Sequence, residues 1–380
     1  MSLANIGSLS NIGDGTGNVG VINAGRNLYV SYVSSFINSI AAIINSDGDA
    51  TFKNINKLDN INAIIQASGI LSVEANTIVN SSDKGSSAGD AIIIGVGGLT
   101  VESDSISNLN GATLFSDADI SIRSKNVNNS GSNISGNNVD IQSDNLNNSV
   151  GYIYSAKNLL IKLAESLNNL SGDIFSDNNL SLILSKDYRY NDDSGDINAR
   201  GEFSIKTTGS IIIDRILESA ASILLNADEN IKISSNQSIL SLKDVILKAI
   251  NITNSSGALI FSSQDIIIDA EKGKFLNEEN ANVLSMGKID IVAENIKNDG
   301  GNIRSQGDMA LDAKIIDNIS KYDNPGWVTG PAQNAEGSHE WKQGFISLVY
   351  YNAKLSGSIP TWIGDFKLTK MAEISSGGNL

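Results

Sequence analysis

Cysteine is absent from the 380 residues, histidine occurs once (His339) and proline three times. Without cysteine there is no disulfide framework, no thiolate nucleophile and no cysteine-ligated zinc. One histidine leaves histidine-rich metal sites and a histidine-based triad without their parts. Positive charge is also scarce: 27 lysines and arginines face 42 aspartates and glutamates, a net charge of −15. A nucleic-acid binder needs a basic face to displace counterions from phosphates, and an anionic membrane surface repels an acidic chain. No stretch approaches the roughly 20 apolar residues of a membrane span. Met1-Ser2-Leu3 leads into polar sequence with no charged start or apolar run of the secretory kind. Aromatic residues make up 6 % against 41 % hydrophobic residues in all, so a core has to be built from small aliphatic side chains.

What the chain does have is a repeat. Leu99-x-Val101 is followed by Ile106-x-Asn108, Ile120-x-Ile122 by Val127-x-Asn129, Val139-x-Ile141 by Leu146-x-Asn148, and Leu159-x-Ile161 by Leu167-x-Asn169. The same block recurs upstream around Asn38, Asn60 and Asn80, and downstream around Asn254, Asn277, Asn298 and Asn318. A small residue stands four positions before the first apolar site in most units, as at Ser116, Ser135, Ser155 and Ser176. Glycine often follows the asparagine by two or three residues, as at Gly111, Gly131, Gly151 and Gly172.

Apolar-x-apolar pairs have the two-residue period of strands, with both side chains on one face. The units are too short for a strand–helix–strand crossover, and their spacers carry no helical stripe. They predict an all-β, parallel β-helix (solenoid) of about 14 coils of 19–23 residues, one coil per repeat. Aliphatic residues in register would stack into a continuous dry core. The asparagines could form an amide ladder, or take the left-handed backbone of tight corners. Leucine-rich repeats set their asparagine three residues after an apolar pair, whereas here it mostly comes seven after. Val30, Val33, Phe36, Ile37, Ile40 and Ile44 fall at helical spacing, a local signal that competes with the strand pattern.

The resulting domain plan is a β-helix over 1–319, an insertion over 320–373 and the start of a further coil over 374–380. The pattern blurs over 185–240, where Ile223-x-Leu225 and Ile231-x-Ile233 both qualify as the next coil. Residues 81–90 lengthen one unit to 28 and read as a surface loop. The 320–373 stretch holds all three tryptophans, all three prolines and His339.

The unit resembles the haemagglutinin repeat of filamentous-haemagglutinin-type exoproteins, which include adhesins and contact-dependent growth inhibition proteins. The likeness covers about 20–320. It implies a right-handed parallel β-helix and a secreted or cell-surface fibre of a Gram-negative bacterium, exported by two-partner secretion through an outer-membrane transporter. The secretion domain of that family carries Asn-Pro motifs near its start. Here the only such pair is Asn324-Pro325, so the chain is expected to be an internal piece of the stalk, and the transporter to act on a region outside it.

Catalysis is not expected, and neither is a metal or a cofactor. Asp192, Asp193 and Asp196 form the best acidic cluster, but the Gly-His-Gly and Arg-x-Lys companions of polygalacturonase-type enzymes are missing. Gly95-Val96-Gly97-Gly98 lacks the Lys-Ser/Thr of a phosphate loop and reads as tight packing. Tyr322, Trp327, Trp341, Tyr350, Tyr351 and Trp362 are the candidate partner-binding residues. Aromatics on a projecting element can anchor a receptor or stack on a glycan, though a segment this small also needs large side chains to hold itself together. The sequence therefore points to an adhesive stalk segment, with a β-helix polysaccharide lyase or hydrolase as the alternative.

Overall fold

In the computed structural model the described residues are 1–14, 16, 18–82, 90–323, 333–334, 358–359 and 367–379. The stacked apolar pairs form a parallel β-solenoid. Each coil passes through three faces, and each strand pairs in parallel with its counterpart one coil away. On the first face one inward column runs unbroken as Leu28, Ala50, Leu71, Leu99, Ile120, Val139, Leu159, Leu180, Phe203, Ile223, Val245, Ile266, Ile289 and Met309. All of these are buried. This column decides the ambiguous coil: Ile223-x-Leu225 continues the first face, whereas Ile231-x-Ile233 belongs to the second, between Ile211 and Ile252.

In many coils one strand, such as Gly98–Leu109 or Ile70–Ser81, bends around the corner and supplies both the first and second faces. In the stretch over 180–254 it splits in two, as Leu180–Leu184 and Tyr188–Tyr190, yet the coil persists. The segment with helical spacing is such a strand, Leu28–Ser39. Its bend at Tyr32 (φ 54°) takes the left-handed backbone that Asn5 and Asn54 take at the same corner of the neighbouring coils.

The third face consists of nine strands and then six, with no backbone pairing between Asp196–Ala199 and Leu217–Ser219. These fifteen strands bracket about 14 turns. At strand spacing that makes a body about 65 Å long.

The registered asparagines are interior ladder residues. Asn38 donates through Nδ2 to Asn60 Oδ1, Asn60 to Asn80, Asn80 to Asn108, Asn108 to Asn129, Asn129 to Asn148 and Asn148 to Asn169, at 2.7–2.8 Å. The left-handed corners belong to other residues, among them Asn62, Asn110, Gly111, Gly131 and Asn280. Gly151 and Gly172 serve closeness instead, since a Cβ there would sit 2.2 and 2.1 Å from the carbonyl oxygens of Asn129 and Asn148.

The small-residue column is a second ladder. Ser116, Ser155, Ser176 and Ser241 donate from Oγ to carbonyls of the preceding coil, Gly95, Asn137, Lys157 and Ala221, at 2.6–2.8 Å. Ser135 is not part of it. The 19-residue coil is one residue short at this corner, so Gly136 takes the inward place opposite Ser155 and Ser135 turns outward opposite Tyr154.

After Met309–Ile319 the chain leaves the coil through Lys321–Asp323, which pairs antiparallel with Lys367–Lys370. It returns as Glu373–Ser376, stacked in parallel on Asn302–Ser305 with Ile374 beside Ile303. Asn318 Nδ2 and Ser320 Oγ bond the backbone of Ala372 across the opening. Among the described residues no helix is long and apolar enough to cross a membrane.

Candidate functional site

Of the aromatic residues singled out in the sequence, Tyr322 lies in the strand Lys321–Asp323, with its backbone opposite Leu368. Trp327, Trp341, Tyr350, Tyr351 and Trp362 lie outside the described residues, as does His339. Asp192, Asp193 and Asp196 are not gathered into one site. Asp192 and Asp193 sit in a 3₁₀ turn, and Asp193 lines a cleft at the corner next to Tyr188, whereas Asp196 lines a different groove on the third face. Among the described residues no group of three or more His, Asp or Glu side chains is placed to hold a metal ion.

The groove lies at the break in the third face. Alternation along each strand sends every second side chain outward, and coil stacking sets those side chains beside one another. Tyr152, Asp173 and Asp196 form one outward column, and Tyr154, Phe175 and Asn198 the next. The rings of Tyr152 and Tyr154 stack at 6.0 Å and 7°, and those of Tyr154 and Phe175 at 6.1 Å and 11°. The three rings therefore stack with nearly parallel planes on the outside of the rod, with Tyr152 38 % exposed.

Beyond the last paired strand, Arg215 spans the gap. It donates to Gly195 O at 2.9 Å, pairs with Asp196 at 3.1 Å and lies 5.2 Å from the centre of the buried Tyr190 ring. With Glu218 these residues line a groove of about 360 Å³. At its margin Arg200 covers the Phe175 ring at 5.5 Å and pairs with Asp177 at 2.7 Å, and Asp177 also accepts the Tyr154 hydroxyl.

The groove is acidic, with Asp173, Asp196 and Glu218 facing one guanidinium, Arg215. Burial, with Asp173 and Asp177 nearby, pushes the Tyr152 hydroxyl above the usual tyrosine range. The hydrogen bond to Asp177 does the same for Tyr154. Both phenols therefore stay protonated at physiological pH.

The corner cleft is built differently. Tyr188 lines it, buried, and its hydroxyl has no hydrogen-bond partner. Ser194, in the same cleft, donates from Oγ to Arg189 O and Asn191 Oδ1.

No protein-family model, curated protein or solved structure matches this chain. The groove was legible only in register. Its residues are spaced one coil apart along the chain, and writing the outward positions of successive repeats beneath one another would have brought Tyr152, Asp173 and Asp196 together.

Proposed function

We propose that the chain is a structural and adhesive stalk segment of a large exoprotein on the surface of a Gram-negative bacterium, without catalysis of its own. The observation that carries this reading is the first-face column, continuous from Leu28 to Met309. A body whose core never interrupts resists bending and keeps its two ends apart, as a spacer must. The resemblance of its repeat to that of filamentous-haemagglutinin-type exoproteins supports surface display and export through a two-partner outer-membrane transporter. The test is labelling of intact cells that express the parent gene with antibody raised against this chain. Labelling that vanishes when the transporter gene is deleted is expected; labelling only after lysis would end the reading.

A polysaccharide lyase or hydrolase is the second reading. It is favoured by Asp173 and Asp196, which sit in register on adjacent strands at a backbone spacing of about 4.8 Å. Paired carboxylates about 5–5.5 Å apart suit a retaining glycosidase. Asp196, however, is already paired with Arg215. Cleavage of polygalacturonate that disappears in Asp173→Asn would support this reading over the first.

A further inference from the structure

We infer that the outer side of the third face, from Val21 to Tyr154, is an interface on which a second copy of this chain packs side by side. The inference goes beyond the reading of the chain as a stalk and does not depend on it.

Seven short strands build this surface, and each turns two side chains outward. Register sets them in two columns. The first opens with Val21, Ile43, Ile64 and Ile92. The second opens with Asn23, Asn45 and Gln66 and continues with Ile94 and Phe115. Val21 is 59 % exposed, and the aliphatic residues after it are covered only in part. The amides of the second column use their donors on one another: Asn45 Nδ2 donates to Asn23 Oδ1 and Gln66 Nε2 to Asn45 Oδ1, both at 2.8 Å. A contiguous aliphatic strip on an outer surface marks a place of contact rather than a plain solvent face.

Charge and pitch name the occupant. None of the fourteen outward positions, two on each of the seven strands, is charged, and the first carboxylate in the columns is Asp173, next after Tyr152. The same coils carry Lys53, Glu74, Glu102 and Arg123 on the first face and Lys57 and Asp59 on the second. Copies with a net charge of −15 each repel one another as wholes, and the third face lets them touch without setting charge against charge. Its side chains rise once per coil, at about the 4.8 Å strand spacing. A second copy repeats that pitch, so ridges of one column can seat in the hollows of the other along its length, as in the packing of two sheets. Seven strands of four residues cover about 34 by 13 Å, or about 450 Å² per copy. The total of about 900 Å² falls short of the roughly 1,200 Å² where stable interfaces begin, so the pair is weak and reversible.

The test is sedimentation velocity of the whole chain between about 10 and 500 µM, the range of a weak pair. A monomer–dimer equilibrium is expected. Raising sodium chloride from about 20 to 500 mM should strengthen it about threefold, because salt screens the like charge of the two rods. Ile64→Glu should weaken pairing at least tenfold, whereas Thr100→Glu, at an exposed outward position of the first face, should leave it within twofold. Ile64→Thr keeps the β-branch and should weaken pairing about threefold while circular dichroism and the melting temperature hold. Because the chain has no cysteine of its own, a short bismaleimide should join copies of Ile64→Cys and not of Thr100→Cys. A chain that stays monomeric at 500 µM, pairing that survives both Ile64 changes, or equal cross-linking through Thr100→Cys would overturn the inference. Growth into filaments would also overturn it, by placing the contact at the ends of the rod.

Discussion

Two kinds of coil build this rod. From Asn38 to Asn148, and again from Asn254 to Asn298, each coil holds a buried asparagine whose amide donates to the next, the runs ending on the buried Asn169 and the exposed Asn318. In the three coils between, the same position is filled by Tyr190, Ile213 and Ile233. An amide ladder uses both ends of every side chain and so fixes which coil sits above which; an apolar column adds cohesion without that directional constraint. The ends of a ladder show what continuity is worth. At one end Asn169 Nδ2 finds the carbonyls of Gly172 and Ser194, at 3.0 and 2.8 Å. At the restart Ile233 offers no donor, and Asn254 Oδ1 is left buried without a partner. The irregular features gather where the ladder is missing: the split long strands, the 3₁₀ turn Asp192–Ser194, the break in the third face and the groove beside it. A tyrosine ring takes more room than an asparagine amide, and Tyr190 is the residue over which Arg215 spans the break. Regular coils hold the rod, and the coils released from the ladder vary its surface.

The sharpest way to break this contrast is to place the same charge in both kinds of coil. Ile213 is fully buried, and its column neighbours Tyr190 and Ile233 offer no amide donor. Ile213→Asp should cost at least about 4 kcal/mol, because an unpaired buried carboxylate is costly. Asn129→Asp would keep the donor of Asn108 Nδ2 and should cost about 2 kcal/mol. Urea unfolding of the two variants checks the order, and equal losses would mean that the ladder gives no electrostatic shelter.

The next effect is smaller and compares an interior rung with a terminal one. Asn129→Leu leaves Asn148 Oδ1 without a donor and removes the acceptor of Asn108 Nδ2. The expected loss is about 2–3 kcal/mol. Asn254→Leu deprives Asn277 Oδ1 of its donor but also abolishes the unpartnered oxygen of Asn254 itself, so the loss should stay below about 1 kcal/mol. Hydrogen exchange of the adjacent strand amides would resolve the two locally. A terminal rung as costly as an interior one would refute the account of how the ladder restarts.

The same contrast explains what could be read from the sequence. The solenoid was legible because Leu99, Ile120, Val139 and Leu159 repeat on one face and Asn108, Asn129, Asn148 and Asn169 mark each coil. Over 185–240 the mark is gone, so two apolar pairs of one coil, Ile223-x-Leu225 and Ile231-x-Ile233, looked like rivals although they occupy different faces. The acidic cluster misled for a related reason. Asp192 and Asp193 are near Asp196 along the chain, but a corner intervenes, and Asp193 and Asp196 line different clefts. Neighbours in a solenoid lie one coil apart, and Asp173, not Asp193, stands beside Asp196.

The smallest expected effect belongs to Tyr188, which opens the unladdered stretch. Its ring is buried and its hydroxyl has no partner. Removing that hydroxyl in Tyr188→Phe forfeits no hydrogen bond, so stability at pH 7 should change by less than about 0.5 kcal/mol. The difference should emerge in alkali. Burial pushes the Tyr188 hydroxyl well above its ordinary range, so the fold holds a neutral phenol that the unfolded chain would ionise near pH 10. Stability from this group is full below about pH 10 and falls as pH rises above it, by up to about 1.4 kcal/mol per pH unit. Tyr188→Phe should therefore flatten the alkaline fall, leaving a residue from Tyr190, which burial also pushes up. Urea midpoints at pH 7 and between about pH 10 and 11.5 measure this directly. Superimposable alkaline curves for the two proteins would show that Tyr188 ionises within the fold, and that the coil lacking its asparagine is open to water at this corner.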